Sequence, residues 1–581
     1  MFMISTEALI SKLNPVQQEA VKNMFGPSLI IAGAGSGKTR VLTHRIAYML
    51  ASGIPSHQIL SLTFTNKAAK EMKERIVQMV GEEQSKKLWM GTFHSIFAKI
   101  LRFEADKIGF SSNFTIYDAT DTKSLIRKII KEKKLDENDY KPGDLYAQIS
   151  KAKNNLVTAQ NYSTNRQLVE NDRFHKRPET AAIYQTYQVR CKQADAMDFD
   201  DILLYTNILF RDYPEITAKY SERFRYILVD EYQDTNFAQY LIVKRLSSSH
   251  QNLTVVGDDA QSIYSFRGAK IENILNFKND YPNFKMYKLE QNYRSTQIIV
   301  DAANSVIKKN KSQIQKNTFS QNEIGEKIKI LRCNSETEEG FRIAMNVQNL
   351  VQKANLRYDD FAILYRTNAQ SRVIEEAFNK MRIPCKIHGG LSFFQRAEIK
   401  DVVSYFRLII NNKDEESLTR IINYPARGIG DTTIEKMTVI AQNNNMSLWD
   451  VICRIEDCSQ VISKSTCLKI AGFRDMIINF TEQIQTADAY TFALKVLERS
   501  GILKTLSEEK SVEGQTRYEN VQELLNGIKE FTENEEESTL ILYLEKIALL
   551  TDINDGDDSN NKVTLMTVHS AKGLEFKHCF I

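Results

Sequence analysis

The sequence predicts an α/β protein built on parallel sheets, with long helical regions inserted between the strands. An apolar run from Leu29 to Ala32 leads through a glycine-rich turn into residues spaced as in a helix. Further apolar runs end in polar clusters at residues 59–65, 226–229 and 253–256. Strands that alternate with helices are typical of parallel sheets, and ligands bind at the carboxyl ends of such strands.

The composition is that of an ordinary folded protein with several domains. The chain has 581 residues, of which 42% are hydrophobic and 26% are charged, and a chain of this length is expected to form roughly three to five compact units. The formal net charge is +4, so a polyanionic partner has to be met by local basic patches. The seven cysteines are scattered without C-x-x-C pairs, which argues against a disulfide framework or a zinc site and fits a reducing compartment.

Neither a membrane segment nor a secretion signal is predicted. The sequence has no uninterrupted apolar run approaching the roughly 18 residues of a spanning helix. Residues 1–13 lack a basic start followed by a long apolar core. We therefore expect a cytoplasmic protein without membrane contact.

The glycine-rich turn at residues 33–37 is a candidate phosphate-binding loop. Its glycines let backbone N–H groups approach phosphate oxygens, and the following helix points its positive dipole end at the same anion. Lys38 would neutralise the β and γ phosphates of a nucleotide, and Thr39 would offer its hydroxyl to Mg²⁺. The strict pattern G-x-x-x-x-G-K-[ST] has Gly where this chain has Ala32, and a flexible glycine loop without a ligand is the alternative. The candidate nucleotide contacts of this segment are Gly33, Ala34, Gly35, Ser36, Gly37, Lys38, Thr39 and Arg40.

Two carboxylates directly after the apolar run 226–229 form a second nucleotide signature. Asp230, at a strand end beside a phosphate loop, can hold Mg²⁺, and Glu231 can orient and deprotonate an attacking water. The run 253–256 also ends in a polar cluster, in which Gln261 is a candidate sensor of the γ-phosphate. Acidic pairs after strands are common, but they are much less common downstream of a phosphate loop. The sequence therefore predicts a site for ATP and Mg²⁺.

Polar and aromatic side chains follow several of the predicted strands and are candidate contacts to nucleic acid. Tyr264 and Phe266 offer flat faces, and Arg267 offers a cation, to stacked bases. Thr92 and its neighbours offer hydroxyl and amide donors to a phosphate backbone. Taken singly, aromatics at such positions are more often core, and a satisfied core histidine is at least as common as a ligand. The candidate DNA contacts are Phe64, Asn66, Thr92, His94, Tyr264, Phe266 and Arg267.

Two long helical regions divide the predicted α/β pattern into two cores. The predicted bounds are 1–116 and 197–288 for the first core, 117–196 for its helical insertion, 289–390 and 561–581 for the second core, and 391–560 for its helical insertion. A helix is expected to start at Met197. The first insertion is basic, which indicates either a solvated face or a surface that tracks phosphates. Its basic residues include Lys123, Arg127, Lys128, Lys131, Lys133, Lys134, Lys151 and Lys153.

The second helical region contains a turn with two glycines, Gly428 and Gly430. Backbone N–H groups of such a turn can hold a duplex phosphate, although an ordinary helix-to-helix turn is an equal alternative. Residues 552–561 are rich in Asp, Asn, Gly and Ser, which favours a flexible connector back to the second core. Residues 563–568 then form another predicted strand.

Several stretches resemble the sequence motifs of superfamily I helicases of the UvrD/PcrA/Rep type and occur in the same order. The chain resembles that family over essentially its whole length. These stretches are Gln17, Leu29 to Arg40, Thr63 to Ala69, Asp230 to Asp234, Gly257 to Arg267 and Gln291 to Thr296. Further similar wording occurs at 362–368, 393–401, 425–430 and 563–576. The resemblance implies two RecA-like P-loop NTPase cores, each carrying a mainly helical inserted subdomain.

The resemblance also implies roles for residues elsewhere in the chain. Gln17 would contact adenine, for which its side-chain amide can both donate and accept, although an exposed helical glutamine is the commoner explanation. Tyr293 would stack on adenine, and Arg294 would reach the γ-phosphate from the second core. Glu575 would contact nucleotide and His569 would contact DNA. The family's usual residue at the Phe266 position is Trp, so we expect a somewhat weaker grip on a base.

The function implied by this resemblance is that of an ATP-dependent DNA helicase that moves 3′ to 5′ along single-stranded DNA, in DNA repair or replication. Its partners would be single-stranded DNA, junctions of single- and double-stranded DNA, and repair or replication proteins, with the chain acting as a monomer or a DNA-dependent dimer. The alternatives are a helicase subunit of a recombination helicase–nuclease and a non-translocating DNA-binding regulatory protein. Family members continue past the position of Ile581 with a motif that carries another arginine, so we expect a C-terminally truncated chain.

Overall fold

The computed structural model describes residues 6–311, 313–388, 393–444, 446–484, 488–509, 511–535, 537–548 and 561–581. The chain divides into two compact units, Met1–Glu323 with Glu398–Leu549, and Ile324–Ala397 with Leu550–Ile581. Residues 552–560 of the predicted connector lie outside the described residues. Within the described part of the chain, no helix is both long and apolar enough to cross a membrane.

The first unit contains a sheet of six parallel strands in the order β3-β2-β6-β7-β1-β8. In the first unit the strands are β1 (Ser28–Ala32), β2 (Ile59–Thr63), β3 (Trp89–Thr92), β4 (Thr115–Tyr117), β5 (Ala196–Asp198), β6 (Tyr226–Val229), β7 (Leu253–Gly257), β8 (Lys285–Leu289), β9 (Gln291–Asn292) and β10 (Phe319–Ser320). Strand β1 lies between β7 and β8, with Ile30 opposite Val256 on one side and Tyr287 on the other. The segments that follow β1, β7 and β8 therefore meet at one edge of the sheet, as predicted for a ligand-binding edge.

Helices cover both faces of this sheet. The helices before residue 311 are α1 (Thr6–Ile10), α2 (Pro15–Lys22), α3 (Lys38–Ala51), α4 (Asn66–Val80), α5 (Glu82–Ser85), α6 (Phe93–Phe103), α7 (Ala119–Glu132), α8 (Pro142–Asn154), α9 (Ala159–Thr164), α10 (Arg166–Phe174), α11 (Thr180–Gln193), α12 (Phe199–Asp212), α13 (Pro214–Arg223), α14 (Phe237–Ser247), α15 (Glu272–Leu275), α16 (Phe277–Asp280) and α17 (Gln297–Ile307). Alternate residues of β1 enter different cores: Leu29 and Ile31 pack with Phe97 of α6, whereas Ile30 packs with Ile46 of α3. All of β1 is buried, which explains its continuous apolar run.

The first helical insertion is closed at its base by two short parallel strands. Strand β4 pairs with β5 so that Thr115 lies opposite Ala196 and Tyr117 lies opposite Asp198. The prediction that a helix starts at Met197 was therefore wrong by two residues, because Met197 belongs to β5 and α12 begins at Phe199. The Asp198 side chain accepts a hydrogen bond from the Asp201 backbone N–H and caps α12.

Several basic side chains of this insertion are used for internal ion pairs, and one of them is wholly buried. The Lys153 side chain has no exposed surface, and its Nζ lies 2.6 Å from Asp198 Oδ2 and 2.8 Å from Asp201 Oδ1. Burial lowers the pKa of Lys153, but the two carboxylates outweigh it and hold the pKa well above its ordinary value. For Lys153, both predicted alternatives, a solvated face and a phosphate-tracking surface, are therefore wrong.

The two helical regions of the first unit are joined by buried and half-buried ion pairs. The helices of the later region are α20 (Ala397–Ile410), α21 (Glu415–Ile421), α22 (Asp431–Asn443), α23 (Leu448–Cys453), α24 (Lys464–Gln483), α25 (Ala489–Ser500), α26 (Ile502–Glu508), α27 (Val512–Asn534) and α28 (Leu540–Ala548). The Arg407 guanidinium lies 2.8 Å from Asp121 Oδ2 and 2.9 Å from Asp414 Oδ2. Lys128 Nζ lies 2.5 Å from Glu416 Oε1. Basic residues of the first insertion, such as Lys128, therefore help to hold the two helical regions together.

The second unit is a smaller α/β layer with four parallel strands in the order β12-β13-β11-β14. Its elements are α18 (Glu336–Ala354), β11 (Phe361–Tyr365), α19 (Ser371–Lys380), β12 (Cys385–Ile387), β13 (Val563–Thr567) and β14 (His578–Phe580). Phe361, Ile363 and Leu565 lie in its core. The predicted second core began at residue 289, whereas residues 290–323 lie in the first unit.

The buried ion pair of Lys153 provides a test of the packing of the first insertion. Replacement of Lys153 by alanine leaves two buried carboxylates without their cation, which typically costs about 3–5 kcal/mol. We expect Lys153→Ala to lower the midpoint of urea unfolding, followed by circular dichroism. Lys131→Ala is the matched control, because Lys131 pairs with Glu435 at 3.7 Å on an exposed surface and such pairs contribute little. Equal midpoints for the two variants would contradict this account.

Candidate nucleotide site and nucleic-acid surface

The glycine-rich loop has the strand–loop–helix geometry that the sequence predicts. Strand β1 ends at Ala32 and α3 begins at Lys38. Gly35 and Gly37 have φ angles of +67° and +86°, a region of backbone conformation that favours glycine. The Ser36 hydroxyl donates a hydrogen bond to the Gly33 carbonyl at 2.7 Å and closes the loop. No acidic residue occupies the first turn of α3, so the positive end of the helix dipole is available to an anion.

A segment after β8 packs directly against this loop. The Asn292 side chain donates to the Ala34 carbonyl at 2.7 Å and accepts from the backbone N–H of Arg294 at 2.8 Å. The Tyr293 N–H donates to the Gly35 carbonyl at 2.9 Å. A Cβ atom at Gly35 would lie 2.8 Å from both Arg294 Cβ and Asn292 Nδ2. The absence of a side chain at Gly35 therefore permits this close approach.

Arg294 lies in the compact unit that contains the loop, and its approach to the γ-phosphate stays a prediction. The backbone of residues 292–295 is tied to the loop through Asn292, while β9 and β10 pair beside it. Tyr293 is 43% exposed, and its hydroxyl accepts a hydrogen bond from Asn14 Nδ2 at 2.9 Å. The structure thus brings both predicted residues next to the candidate phosphate loop.

Gln17 lies on α2, and Arg40 lies in the first turn of α3. The Gln17 side chain is 1% exposed, accepts from the Asn14 N–H at 3.2 Å, and donates to the Ser36 carbonyl at 3.1 Å. The alternative of an exposed helical glutamine is therefore wrong. The Gln17 amide instead holds the loop through its hydrogen bond to the Ser36 carbonyl. Arg40 is exposed and donates to the Lys12 carbonyl at 2.9 Å. Adenine contact by Gln17 stays a prediction.

The two predicted carboxylates meet the loop lysine. Lys38 Nζ lies 3.0 Å from Glu231 Oε1, and Asp230 Oδ1 accepts the Glu231 backbone N–H at 2.9 Å. Burial lowers the pKa of Lys38, but Glu231, Asp230 and Asp258 outweigh it and raise the pKa above its ordinary value. Burial, together with the neighbouring Glu231, raises the pKa of Asp230 to about 7. Glu231 has φ of +50°, a strained conformation for a residue other than glycine.

Gln233 joins this carboxylate pair to the segment after β7, and sequence reasoning did not single it out. It is fully buried, and its Nε2 donates to Glu231 Oε2 at 2.5 Å while its Oε1 accepts the Asp258 N–H at 3.0 Å. Asp258 Oδ2 in turn accepts from Gln261 Nε2 at 2.7 Å. The structure thus brings Lys38, Glu231 and Gln261 into one polar network. The available signal was its place within the stretch Asp230 to Asp234, which resembles the helicase family.

The oxygen donors at this site suit a magnesium ion bound together with phosphates. Thr39 follows Lys38 in the first turn of α3, and the buried Asp230 carboxyl has a raised pKa, which a nearby divalent cation would lower. Mg²⁺ is usually held by one or two protein oxygens, water and substrate phosphates. Consistently, no cluster of three or more His, Cys, Asp or Glu side chains suited to a metal occurs among the described residues.

An exposed aromatic surface follows Gln261 on the same stretch of chain, and we define it as Tyr264, Phe266 and Arg267. Phe266 is 66% exposed, and its ring lies 6.1 Å from that of Tyr264, centroid to centroid. The Arg267 guanidinium lies 5.3 Å from the Tyr264 ring and 5.7 Å from the Phe266 ring. The half-buried Tyr264 ring, the exposed Phe266 ring and the exposed Arg267 cation are together suited to stacking on nucleic-acid bases. The alternative that Phe266 is a core residue is wrong.

The other predicted DNA contacts of the first unit are built into the framework at the same edge of the sheet. Phe64 is half-buried, and its ring packs 5.7 Å from Phe93. Thr92 caps α6 by accepting the Ser95 N–H at 3.2 Å. The ring of His94 packs edge-on against Phe199, and burial lowers the pKa of His94 to about 4, so that the imidazole is neutral at pH 7.

Asn66 begins α4, which follows β2. His569 and Glu575 lie in the second unit, in the segment between β13 and β14.

Comparison with known proteins gives two family matches and close relatives over almost the whole chain. The UvrD/REP helicase N-terminal domain matches residues 13–282, and the UvrD-like helicase C-terminal domain matches residues 287–581. An ATP-dependent DNA helicase PcrA from Staphylococcus epidermidis is 45% identical over 577 residues, which is 99% of this chain and 78% of that protein. An ATP-dependent DNA helicase PcrA from Staphylococcus aureus is 44% identical over 580 residues, which is again 99% of this chain and 78% of that protein.

The close approach at Gly35 predicts a specific effect of adding one methyl group. We expect Gly35→Ala to displace Asn292 and Arg294 and to weaken the binding of a fluorescent ATP analogue by more than about tenfold, which corresponds to about 1.4 kcal/mol. Gly53→Ala is the matched control, because Gly53 has φ of +88° but a Cβ atom added there would meet nothing within 4 Å. Both variants carry backbone strain, so an equal loss of nucleotide affinity in both would show that crowding at Gly35 has no role.

Proposed function

The chain belongs to the UvrD/REP helicase family, and on that basis we propose that it is an ATP-dependent DNA helicase that moves 3′ to 5′ along single-stranded DNA. The observation that supports the proposal is the link between the candidate nucleotide site and the aromatic surface. Lys38, Glu231 and Gln261 share one hydrogen-bonded network, and the aromatic surface begins three residues after Gln261.

The ion pair between Lys38 and Glu231 suggests how nucleotide binding prepares the catalytic base. In this structure the Lys38 ammonium has Glu231 as its partner. Phosphate oxygens of ATP would take over that partner's place, because the loop N–H groups and α3 direct the anion to the same point. The Glu231 carboxylate can then accept a proton from water as the water oxygen bonds to the γ-phosphorus and the bond to the ADP oxygen breaks.

Other residues of the centre would hold and align the phosphates. Thr39 and Asp230 would hold Mg²⁺, which neutralises charge on the β- and γ-phosphate oxygens when bound. Gln261 would contact the γ-phosphate, and Arg294, tied to the loop through Asn292, would approach the same group. Tyr293 is exposed beside the loop and would stack on adenine.

DNA movement would use the aromatic surface as a place where bases are held in turn. Stacking on a protein ring contributes about 1–3 kcal/mol per base, which is comparable with the mean of about 1.4 kcal/mol per base-pair step in duplex DNA. A few stacked bases therefore compete with reannealing of the strands. We propose junctions of single- and double-stranded DNA as substrates, work in DNA repair or replication, and a cytoplasmic location.

A helicase subunit of a helicase–nuclease and a regulatory DNA-binding protein are the rival functions. The regulatory alternative predicts no nucleotide turnover. It is disfavoured by the shared network of Lys38, Glu231 and Gln261, because a site without turnover needs no carboxylate base paired with the loop lysine. ATP hydrolysis by the protein itself therefore decides between the helicase and the regulatory alternative.

Changes at the loop lysine and at the proposed base are expected to abolish function by different routes. Lys38→Ala removes charge compensation for the phosphates, whereas Glu231→Gln removes the proton acceptor and leaves nucleotide binding largely intact. Each should lower DNA-stimulated ATP hydrolysis by about 10²–10³-fold and abolish unwinding of a duplex with a 3′ single-stranded tail. Steady-state ATPase, nucleotide binding and strand-separation assays measure these effects.

Glu222→Gln is the matched control, because Glu222 is an exposed glutamate on α13, and its activity should equal that of the unchanged protein. A duplex with a 5′ tail should not be unwound. Near-normal turnover in Lys38→Ala or Glu231→Gln would reject the assignment of the site, and preferential unwinding of the 5′-tailed duplex would reject the direction.

Loss of the exposed rings is expected to weaken DNA binding more than hydrolysis without DNA. Tyr264→Ala and Phe266→Ala should each weaken binding of single-stranded DNA by about 1–3 kcal/mol at matched salt, measured by fluorescence anisotropy. Phe103→Ala is the matched control, since Phe103 is 61% exposed at the far end of α6. Unchanged affinity in both ring variants would remove the aromatic surface from the DNA path.

A further inference from the structure

Lys316 is a buried cation beneath the proposed nucleotide centre, contributed by the stretch of chain that connects α17 to β10. Its Nζ lies 2.6 Å from Asp258 Oδ1 and 2.7 Å from Asp259 Oδ1. The exposed fractions of these side chains are 9% for Lys316, 3% for Asp258 and 0% for Asp259. A single ammonium thus pairs with two carboxylates away from water, where an unpaired charge is costly.

The carboxylate that Lys316 holds also holds Gln261. Asp258 Oδ1 contacts Lys316 and accepts the Ala260 N–H at 3.1 Å, while Oδ2 accepts the Gln261 side-chain amide at 2.7 Å. The Asp258 backbone N–H continues the network to Gln233. The position of the Asp258 carboxylate therefore fixes the proposed phosphate sensor and the start of the turn that carries the aromatic surface.

Lys316 is itself held in place from several sides. Two residues earlier, the Ile314 N–H donates to Asp259 Oδ2 at 2.7 Å. The Asn317 N–H donates to Glu290 Oε1 at 2.7 Å. Thr318 lies over the phosphate loop, with its Oγ1 2.9 Å from a Cβ atom added at Gly33. The connector therefore spans from the Asp258 segment to the loop.

We propose that Lys316 is a positioning residue for nucleotide hydrolysis, acting through Asp258 to align Gln261 and the turn that bears the aromatic surface. This inference rests on the proposed ATPase function, because the effect assigned to Lys316 is an effect on ATP hydrolysis. Lys316 acts through its carboxylate partners and not by contact with the nucleotide. It assigns to the connector after α17 a coupling role between the nucleotide centre and the DNA surface.

The test compares Lys316→Ala with Lys316→Arg and with Lys309→Ala. Arginine keeps the charge, and Lys309 is an exposed lysine in the same connector, after α17. With saturating single-stranded DNA, kcat for ATP should fall about 10–100-fold in Lys316→Ala, as expected when an aligning group is displaced. The affinity for a fluorescent ATP analogue should change by less than about threefold, which is below about 1 kcal/mol. Lys316→Arg should recover most of kcat, and Lys309→Ala should match the unchanged protein.

Amide hydrogen exchange across residues 258–268 tests the same inference without any need for hydrolysis. Loss of protection there in Lys316→Ala, with none in Lys309→Ala, supports the positioning role. Unchanged protection overturns it, and so does an unchanged kcat in folded Lys316→Ala. If the unchanged protein hydrolyses no ATP, the proposed function fails, while the exchange experiment still decides whether Lys316 holds this segment.

Discussion

The ion pair between Lys38 and Glu231 is the interaction on which the candidate site depends. Asp230, Asp258 and Asp259 are all nearly buried around it, and buried carboxylates are costly unless a cation faces them. Lys38 comes from the phosphate loop and Lys316 from a segment far along the chain, so the acidic centre is stabilised only when β1, β6, β7 and the connector are all in place. Folding of the sheet and assembly of the site are therefore one event.

Side-chain amides connect the charged groups and set the shape of the loop. Gln233 links Glu231 to the Asp258 backbone, Asn292 links the loop to Arg294, and Gln17 supports Ser36 from behind. Each amide both donates and accepts, which lets it satisfy two backbone or carboxylate groups in a buried place. Direct hydrogen bonds thus connect Glu231, the partner of the loop lysine, to the segment that precedes Tyr264 and Phe266.

The basic helical insertion illustrates why charge counted along a sequence is a weak guide to function. Lys153 neutralises Asp198 and Asp201 in a buried cluster, and Lys128 pairs with Glu416 of the later helical region. A lysine in the sequence has the same charge whether it faces water, a phosphate or a carboxylate of its own fold. Burial and the partner's position, which the sequence does not contain locally, distinguish these cases.

The sequence by itself determined the parallel α/β class and the strands at whose ends the candidate site residues lie. Continuous apolar runs such as Leu29 to Ala32 are buried on both faces of a sheet, and the residues that follow them, Lys38, Asp230 and Gln261, are marked by local chemistry. Tertiary structure alone decided that Arg294 packs against the loop in the first unit, and that Gln233 and Lys316 complete the centre. These contacts join segments far apart in the chain, and no spacing rule within a segment specifies them.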